Sequence, residues 1–296
     1  MGDSLAAEES VDHASDREIV GIVLAAGAGT RLGPLGSVQP KPLCPIGNIP
    51  LLDLAVDRVR RCVGPVAVNL HHRAEEILQH LGRDGTGIMS EVHVVVEKPE
   101  ALGTAGAIAN LLPWIAGRDV LVVNADAWST DPLGELLVSR RPDRVTVLAH
   151  ETDVFGPTIG VVASVLPWSL IRDLEPVPTG LYEVVWRDAH EHGVLDVVRS
   201  GSPFVDCGTP ADYLGANMLA VELVGDSIID PSATIGEQAR IVGSVIGPGA
   251  LIEGSVTDSV VWADQVVGID EALEGVVRAT PELTLRPMSR DGSHRA

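Results

Sequence analysis

The chain carries two lysines against nineteen arginines, and one of the two, Lys41, sits in Pro40-Lys41-Pro42 shortly after a glycine-rich stretch. That stretch reads Leu24-Ala25-Ala26-Gly27-Ala28-Gly29-Thr30-Arg31-Leu32. Residues of these types at this spacing are suited to holding phosphates. Gly27 and Gly29 can adopt positive φ and have no side chain, so successive backbone N–H groups can converge on an anion. Arg31 and Lys41 supply fixed positive charge near the same point. Two other phosphate loops are excluded by spacing. A dinucleotide fingerprint needs glycine where Leu32 stands, and a P-loop needs Gly-Lys-Ser/Thr closing the turn. A carboxylate, Asp126, follows the apolar run Val120-Leu121-Val122-Val123 and Asn124-Ala125. At the tip of a buried strand such a group is costly unless it is solvated or paired with a cation.

The elements that must position these groups alternate along the chain. Ile19 to Leu24 is an apolar, β-branched run of the kind that forms a strand buried on both faces. Leu52, Ala55, Val56 and Val59 recur at helical spacing, Val66 to Val68 reads as a strand, and Ala74, Ile77, Leu78 and Leu81 repeat the helical pattern. Val92 to Val96 and Val120 to Val123 are further strands around a helix through Ala105 to Leu112. This pattern predicts an α/β fold with a mostly parallel sheet and helices on its faces. Ligands in such sheets bind at the carboxyl ends of the strands. The turn from Glu97 through Leu102-Gly103-Thr104-Ala105-Gly106 also falls at a strand end and opens a helix, with Thr104 as a candidate N-cap.

Composition bounds the remainder. With 296 residues, 45% of them hydrophobic, the chain can form one large α/β domain and a smaller appendage. A net charge of −20 argues against a nucleic-acid-binding surface, which requires a basic face. No basic region followed by an apolar core opens the chain, and no apolar run is long enough to span a bilayer, so a cytoplasmic protein without membrane partners is expected. Cys44, Cys62 and Cys207 are widely separated and lack metal-type spacing, which predicts reduced thiols. His190 and His192 flank Glu191 in a polar stretch and read as solvated. Beyond residue 225, Ile229, Ile235, Ile241, Ile246 and Ile252 recur every five or six residues among glycines. Such a period predicts parallel β-helix coils, each leaving an apolar side chain inside. The expected organisation is a flexible acidic tail over 1–17, a main domain over 18–225, a short β-helix over 226–270 and a loosely ordered tail over 271–296.

Leu-Ala-Ala-Gly-Ala-Gly-Thr-Arg-Leu followed by Pro-Lys-Pro-Leu resembles the signature of the sugar-1-phosphate nucleotidyltransferases. The resemblance implies a Rossmann-like catalytic domain and, for the repeats, an appended left-handed β-helix with a structural or assembly role, through which the chain could form a homo-oligomer. It implies that Leu24, Ala25, Gly27, Gly29 and Thr30 wrap a nucleoside triphosphate, that Arg31 meets the departing phosphates and that Lys41 lies near the reacting one. Leu102, Gly103 and Thr104 would line the nucleoside pocket. Phe204-Val205-Asp206-Cys207-Gly208-Thr209-Pro210 is similar to the family segment whose aspartate joins Asp126 in binding Mg²⁺. Two aspartates suit this hard cation, which takes one or two carboxylates with substrate phosphates and water. Asn124, Gly160 and Glu183 would meet the sugar. Two departures stand out. Alanine replaces glycine in Asn124-Ala125-Asp126, and no lysine follows Lys98, so the family's sugar-phosphate lysine is missing, with Arg172, Arg187 or Arg199 as substitutes. The leucine-led glycine turn together with the β-helix favours mannose-1-phosphate and GTP, while Trp128 resembles the uridylyltransferases of muramate-type sugars. A catalytically silent subunit that binds nucleotide sugars is the alternative of a different class.

Overall fold

Ile19–Leu24 (β1) is apolar and buried at all six positions, as a strand covered on both faces must be. It lies inside a seven-stranded sheet in a computed structural model that describes residues 18–82 and 92–287. The expected acidic tail over 1–17 falls outside the described residues. In chain order the strands of the main body are β1, β2 (Pro45–Ile46), β3 (Ile49–Pro50), β4 (Val66–Leu70), β5 (Val92–Val96), β6 (Asp119–Asn124), β7 (Ala127–Ser129), β8 (Val145–His150), β9 (Val161–Leu166), β10 (Leu195–Ser200) and β11 (Phe204–Asp206). The large sheet has the order β10-β8-β9-β6-β1-β4-β5. β1 pairs parallel with β4 and β6, and β4 with β5; β9 alone runs antiparallel to its neighbours β6 and β8. The carboxyl ends of β1, β4, β5 and β6 therefore share one edge.

Each face of the sheet carries its own core. On one, Leu52, Ala55, Val56 and Val59 of the helix Leu51–Arg60 pack with Ile19 and Val23. On the other, Ile108, Leu111 and Ile115 of the helix Gly103–Ile115 pack with Val20, Ile22, Val120 and Val122. Each such valine, leucine or isoleucine side chain, fully buried, stabilises the fold by about 1.5–3 kcal/mol before its entropy cost. The last helix of this body, Pro210–Val224, starts with a capping box in which Thr209 and Asp212 each receive the other's backbone N–H, and ends on Gly225 in the left-handed region.

The repeats form three parallel sheets stacked coil on coil. One joins Ile228–Ile229, Val245–Ile246, Val260–Val261 and Val277–Thr280; the second joins Thr234–Ile235, Leu251–Ile252 and Val266–Val267; the third joins Arg240–Val242, Ser255–Thr257 and Ala272–Glu274. Ile246, Ile252, Val256, Val261, Val267 and Leu273 fill the interior. At one corner the Ser244 hydroxyl accepts the Ser259 N–H at 3.1 Å and the Ser259 hydroxyl accepts that of Val276 at 3.1 Å, which explains the repeated serines. Two expectations need correction. Coils continue past Asp270, with Leu283–Leu285 closing antiparallel on Val277–Thr280, so residues 271–287 belong to the β-helix rather than to a loose tail. Ile229 and Ile235 are exposed rather than interior, at 41% and 40%, because the first coil has a neighbour on one side only.

A third core cluster joins the two parts. Leu32, Leu35, Cys44, Ile46 and Leu51, around the glycine-rich loop and Lys41, pack with Tyr213 and Ala216 of the last helix and with Val245, Val260, Trp262 and Val277 of the coils. Trp262 Nε1 donates to Tyr213 Oη at 2.9 Å, and Tyr213 Oη donates to the Pro45 carbonyl at 2.6 Å. No helix among the described residues is long and apolar enough to cross a membrane.

Candidate active site

The chain leaves β1 at Leu24 and turns through a loop whose second glycine, Gly29, takes φ +60° with its missing Cβ position 2.9 Å from Lys41 Cβ. A larger residue there would collide with the lysine, so the glycine sets how closely loop and lysine approach. Lys41 opens the 3-10 turn Lys41–Leu43. Its side chain is 4% exposed, and Nζ donates to Asp126 Oδ2 at 3.0 Å and to Asp206 Oδ1 at 3.2 Å. Arg31 Nη2 donates to the other oxygen of Asp206 at 3.2 Å.

Pairing of β11 with β7 brings the two carboxylates together. Their antiparallel register places Asp206 opposite Ala127, next to Asp126, and the Cys207 N–H donates to the Asp126 carbonyl at 3.2 Å. Ala125 keeps its place in the turn by donating its N–H to Leu24 O, so alanine at the family's glycine position leaves Asp126 at the strand tip. The carboxylate side chains of Asp126 and Asp206 are 44% and 50% exposed. They are thus half open to solvent while a buried ammonium holds them from below. Removing that ammonium would take from both carboxylates the cation that they share.

A cavity of about 470 Å³ opens above this cluster, lined by the loop from Leu24 to Ala28, by Lys41, Asn124 and Asp126, and by Gly103 and Thr104 from the second glycine turn. Gly103 has φ +68°, and its missing Cβ position lies 2.6 Å from the Thr179 carbonyl oxygen. Thr104 is not the N-cap; that position is Leu102, without a side-chain cap. Instead Thr104 Oγ1 accepts the Leu181 N–H at 2.7 Å, fastening the glycine turn to the chain approaching the π-helical turn Tyr182–Trp186. A second cavity, of about 200 Å³, shares Leu24, Thr104 and Asn124 with the first and reaches Glu183. Gly160 lies at the same edge of the sheet, where it accepts the His150 N–H and packs near Phe204.

Three residues in this region carry no signal in the phosphate motif. Asn69, at the end of β4, accepts the Ala25 N–H at 3.0 Å and donates to Glu97 Oε1 at 2.7 Å, while Glu97 Oε2 accepts the Leu102 N–H at 2.8 Å. Both side chains are buried, so this relay fixes the first glycine loop against the second. His71, whose Nδ1 lies 3.1 Å from the Glu97 carbonyl, lines the large cavity with His72. The clue was available: a polar residue at the end of an apolar strand on the ligand edge is expensive to bury without a task.

Of the three arginines considered in place of the missing lysine, Arg172 pairs with Asp173 and Arg187 with Asp188 and Glu191. Arg199 is exposed near the carboxyl end of β10. Trp128 is 6% exposed and packs in the cluster with Cys207 and Tyr213, so it is a core residue rather than part of either cavity. Burial pushes the thiols of Cys44 and Cys207 up to about 12, which keeps both beside the site as neutral, unreactive groups.

The model of the MobA-like NTP transferase domain matches residues 21–192. The chain belongs to this family. An N-acetylmuramate alpha-1-phosphate uridylyltransferase of Caulobacter vibrioides is 32% identical over 146 residues, which span 46% of this chain and 60% of that protein. A mannose-1-phosphate guanylyltransferase of Mycobacterium tuberculosis is 25% identical over 295 residues, covering 88% of this chain and 79% of that one. HddC of Yersinia pseudotuberculosis, solved with GMP-PN, superimposes with a TM-score of 0.56 at 22% identity over 68% of this chain and 99% of its own; that likeness concerns the fold. In this NTP transferase the matched region contains the glycine-rich loop, Lys41, the second glycine turn and Asp126, while Asp206 lies beyond it.

A divalent cation is expected of this family, and the donor set fits one. Among the described residues there is no cluster of three or more metal-ligating side chains, which disfavours a closed zinc-type site. Two half-exposed carboxylates, one of them lining the large cavity, suit a hard cation such as Mg²⁺, which takes one or two carboxylates together with phosphates and water.

Proposed function

We propose that the chain transfers a nucleoside monophosphate from a nucleoside triphosphate to a sugar-1-phosphate, releasing pyrophosphate, with GTP and mannose-1-phosphate as the preferred pair. The observation that carries this reading is the convergence of Asp126, Asp206 and Arg31 on Lys41 and its partners, next to a cavity that Lys41 and Asp126 line together with two glycine turns. These are the groups a phosphoryl-transfer site needs, and their convergence supports a working enzyme over a silent binding subunit.

The nucleophile is a phosphate oxygen of the sugar-1-phosphate, already anionic, so the protein needs no general base. The bond that forms joins this oxygen to the α-phosphorus; the bond that breaks releases pyrophosphate in line. The protein contributes orientation and charge neutralisation. The amides from Ala26 to Thr30 and the Arg31 guanidinium hold the β- and γ-phosphates, and Lys41 Nζ faces the α-phosphate, where charge builds up in the transition state. Mg²⁺ held by Asp126 and Asp206 would supply the positive charge that two carboxylates alone deny the triphosphate. Asn124, Gly160 and Glu183 hold the sugar.

Support for GTP and mannose-1-phosphate comes from the length of the mycobacterial alignment, which spans 88% of this chain. The Caulobacter relative, more similar over fewer residues, favours UTP with a muramate- or glucose-type phosphate as the second reading. The test is pyrophosphate release with Mg²⁺ for GTP, UTP, dTTP, CTP and ATP, each offered mannose-, glucose-, N-acetylglucosamine- and N-acetylmuramic acid-1-phosphate. A maximum at GTP with mannose-1-phosphate is expected; a maximum at UTP with N-acetylmuramic acid-1-phosphate would replace it with the second reading.

A further inference from the structure

A short helix, Pro34–Val38, joins the glycine-rich loop to the lysine of the site, with Arg31 before it and Lys41 after it. Its own hydrogen bonding ends where the Gln39 N–H donates to the Leu35 carbonyl at 3.1 Å. The next three carbonyls are met by one side chain from a distant turn. Arg73 Nη1 donates to Gly36 O at 2.7 Å and, more weakly, to Ser37 O at 3.4 Å, and Nη2 donates to Val38 O at 3.2 Å. The last carbonyls of a helix carry partial negative charge and need donors, and a guanidinium supplies several at once. Glu76 takes the other edge of the fork, accepting from Nε and Nη2 at 2.5 Å each, so the guanidinium is held in one orientation. Arg73 stands at φ +50°, a left-handed conformation that is costly for an L-residue and persists where its surroundings enforce it.

The place of Arg73 shows what this grip controls. It lies three residues beyond the end of β4, after His71 and His72, which line the large cavity. Asn69, at the end of the same strand, holds the start of the loop by accepting the Ala25 N–H at 3.0 Å. Asn69 and Arg73 thus clamp the stretch 25–38 at both ends. Within it, the missing Cβ position of Gly36 lies 3.5 Å from the Gly29 carbonyl oxygen, so the short helix backs onto the loop. Only Gln39 and Pro40 separate the second clamp from Lys41. Pro40 has its φ fixed by the ring, here at −58°, and its carbonyl accepts the Leu43 N–H at 2.8 Å. A shift of the helix end is therefore passed on to the turn that carries Lys41. We infer that Arg73 is a positioning residue for Lys41: through the carbonyls of Gly36, Ser37 and Val38 it fixes the support from which Lys41 Nζ reaches Asp126 and Asp206. Arg73 does not line the large cavity, so its effect on the reaction passes through the lysine. This inference rests on the transferase reading above.

A lysine ammonium cannot bridge three carbonyls and a carboxylate as the planar fork does, so Arg73→Lys and Arg73→Ala both loosen the clamp. The test is a double-mutant cycle. kcat and KM are measured for each Arg73 variant alone and combined with Lys41→Ala, at enzyme concentrations that bring the slow variants into range. With Lys41 present, each Arg73 variant should lower kcat by about tenfold or more, as a displaced transition-state group does, while the KM for the triphosphate stays within about twofold. With Lys41→Ala, the same substitutions should lower kcat by less than about threefold, because the group they position is gone. A change that only weakened the fold would lower the urea midpoint and act equally in both backgrounds. If Arg73→Ala does not fold, the cycle is read from Arg73→Lys. A wild-type kcat in a folded Arg73 variant, or an equal loss with and without Lys41, overturns this assignment and leaves the transferase reading standing. A wild type that releases no pyrophosphate with any sugar-1-phosphate overturns both.

Discussion

At the scale of single residues, the proposed chemistry rests on one buried ammonium between two carboxylates. Lys41→Ala should lower turnover by about 10²- to 10³-fold, the range for loss of one preorganised donor to a charged transition state. Asp126→Asn should act similarly and raise the Mg²⁺ concentration needed for half-maximal rate. Steady-state kinetics across a Mg²⁺ titration checks both, and a normal rate in Asp126→Asn removes that residue from the site. The thiols beside the site predict a pH effect on stability. Cys44 and Cys207, with an ordinary value of 9.0, are pushed up to about 12 by burial. Between about pH 9 and pH 12 the unfolded chain loses these protons while the folded chain keeps them. The unfolded state then binds fewer protons, and stability falls as pH rises through that window. Urea unfolding at pH 8.5 and 10.5 should show the loss, and a Cys44→Ala, Cys207→Ala double variant should show less of it. Lys41, Arg31 and Gly29 stand out in sequence because a phosphate loop requires particular residue types at fixed spacing, although Gly27 does not take the positive φ that its place in the loop suggested. Asn69 and Glu97 do not stand out, since their task is to hold two loops together, and only the parallel alignment of β4 and β5 beside β1 reveals it.

At the scale of elements, the second glycine turn is held to the segment before the π-helical turn by close contact. Gly103→Ala would place a methyl within 2.6 Å of a backbone oxygen and force an L-residue to a positive φ, at about 1–2 kcal/mol for the backbone alone. The nucleotide cavity should distort, and the KM for the triphosphate should rise by about tenfold, as the binding share of that strain. Nucleotide titrations measure this; an unchanged KM would mean that the turn does not shape the pocket. Thr209→Ala removes one side of the capping box and should lower stability by about 1 kcal/mol, read as a shift in the urea midpoint. The strands and helices of the first half follow from hydrophobic period alone, because buried parallel strands and amphipathic helices differ so plainly there. The antiparallel direction of β9 could not be read, since a short apolar run looks the same in either direction. That Thr104 does not cap its helix could not be read for a related reason: its partner, the Leu181 N–H, lies 77 residues away.

At the scale of the whole molecule, the β-helix and the catalytic body share a core. The cluster containing Trp262, Tyr213 and Val260 also contains Leu32, Leu35 and Cys44, so the coils support the segment that carries Lys41. Trp262→Ala should destabilise the protein by about 3–5 kcal/mol, and calorimetry of the wild type should show one cooperative transition. Two separated transitions would mean that the parts are independent. The repeat itself was legible as a β-helix. Its extent was not, because the coils beyond Asp270 use Leu273, Val276 and Val277 in place of the isoleucine spacing. The central claim, that a sugar phosphate captures the α-phosphorus of a triphosphate at Lys41, is tested most directly with GTP labelled at its α-phosphate. With Mg²⁺ and mannose-1-phosphate, the label should pass into a nucleotide sugar in step with pyrophosphate release, and Lys41→Ala should slow the transfer by about 10²- to 10³-fold. Label that stays in GTP for every sugar-1-phosphate, or transfer that persists at the wild-type rate in Lys41→Ala, would contradict the account.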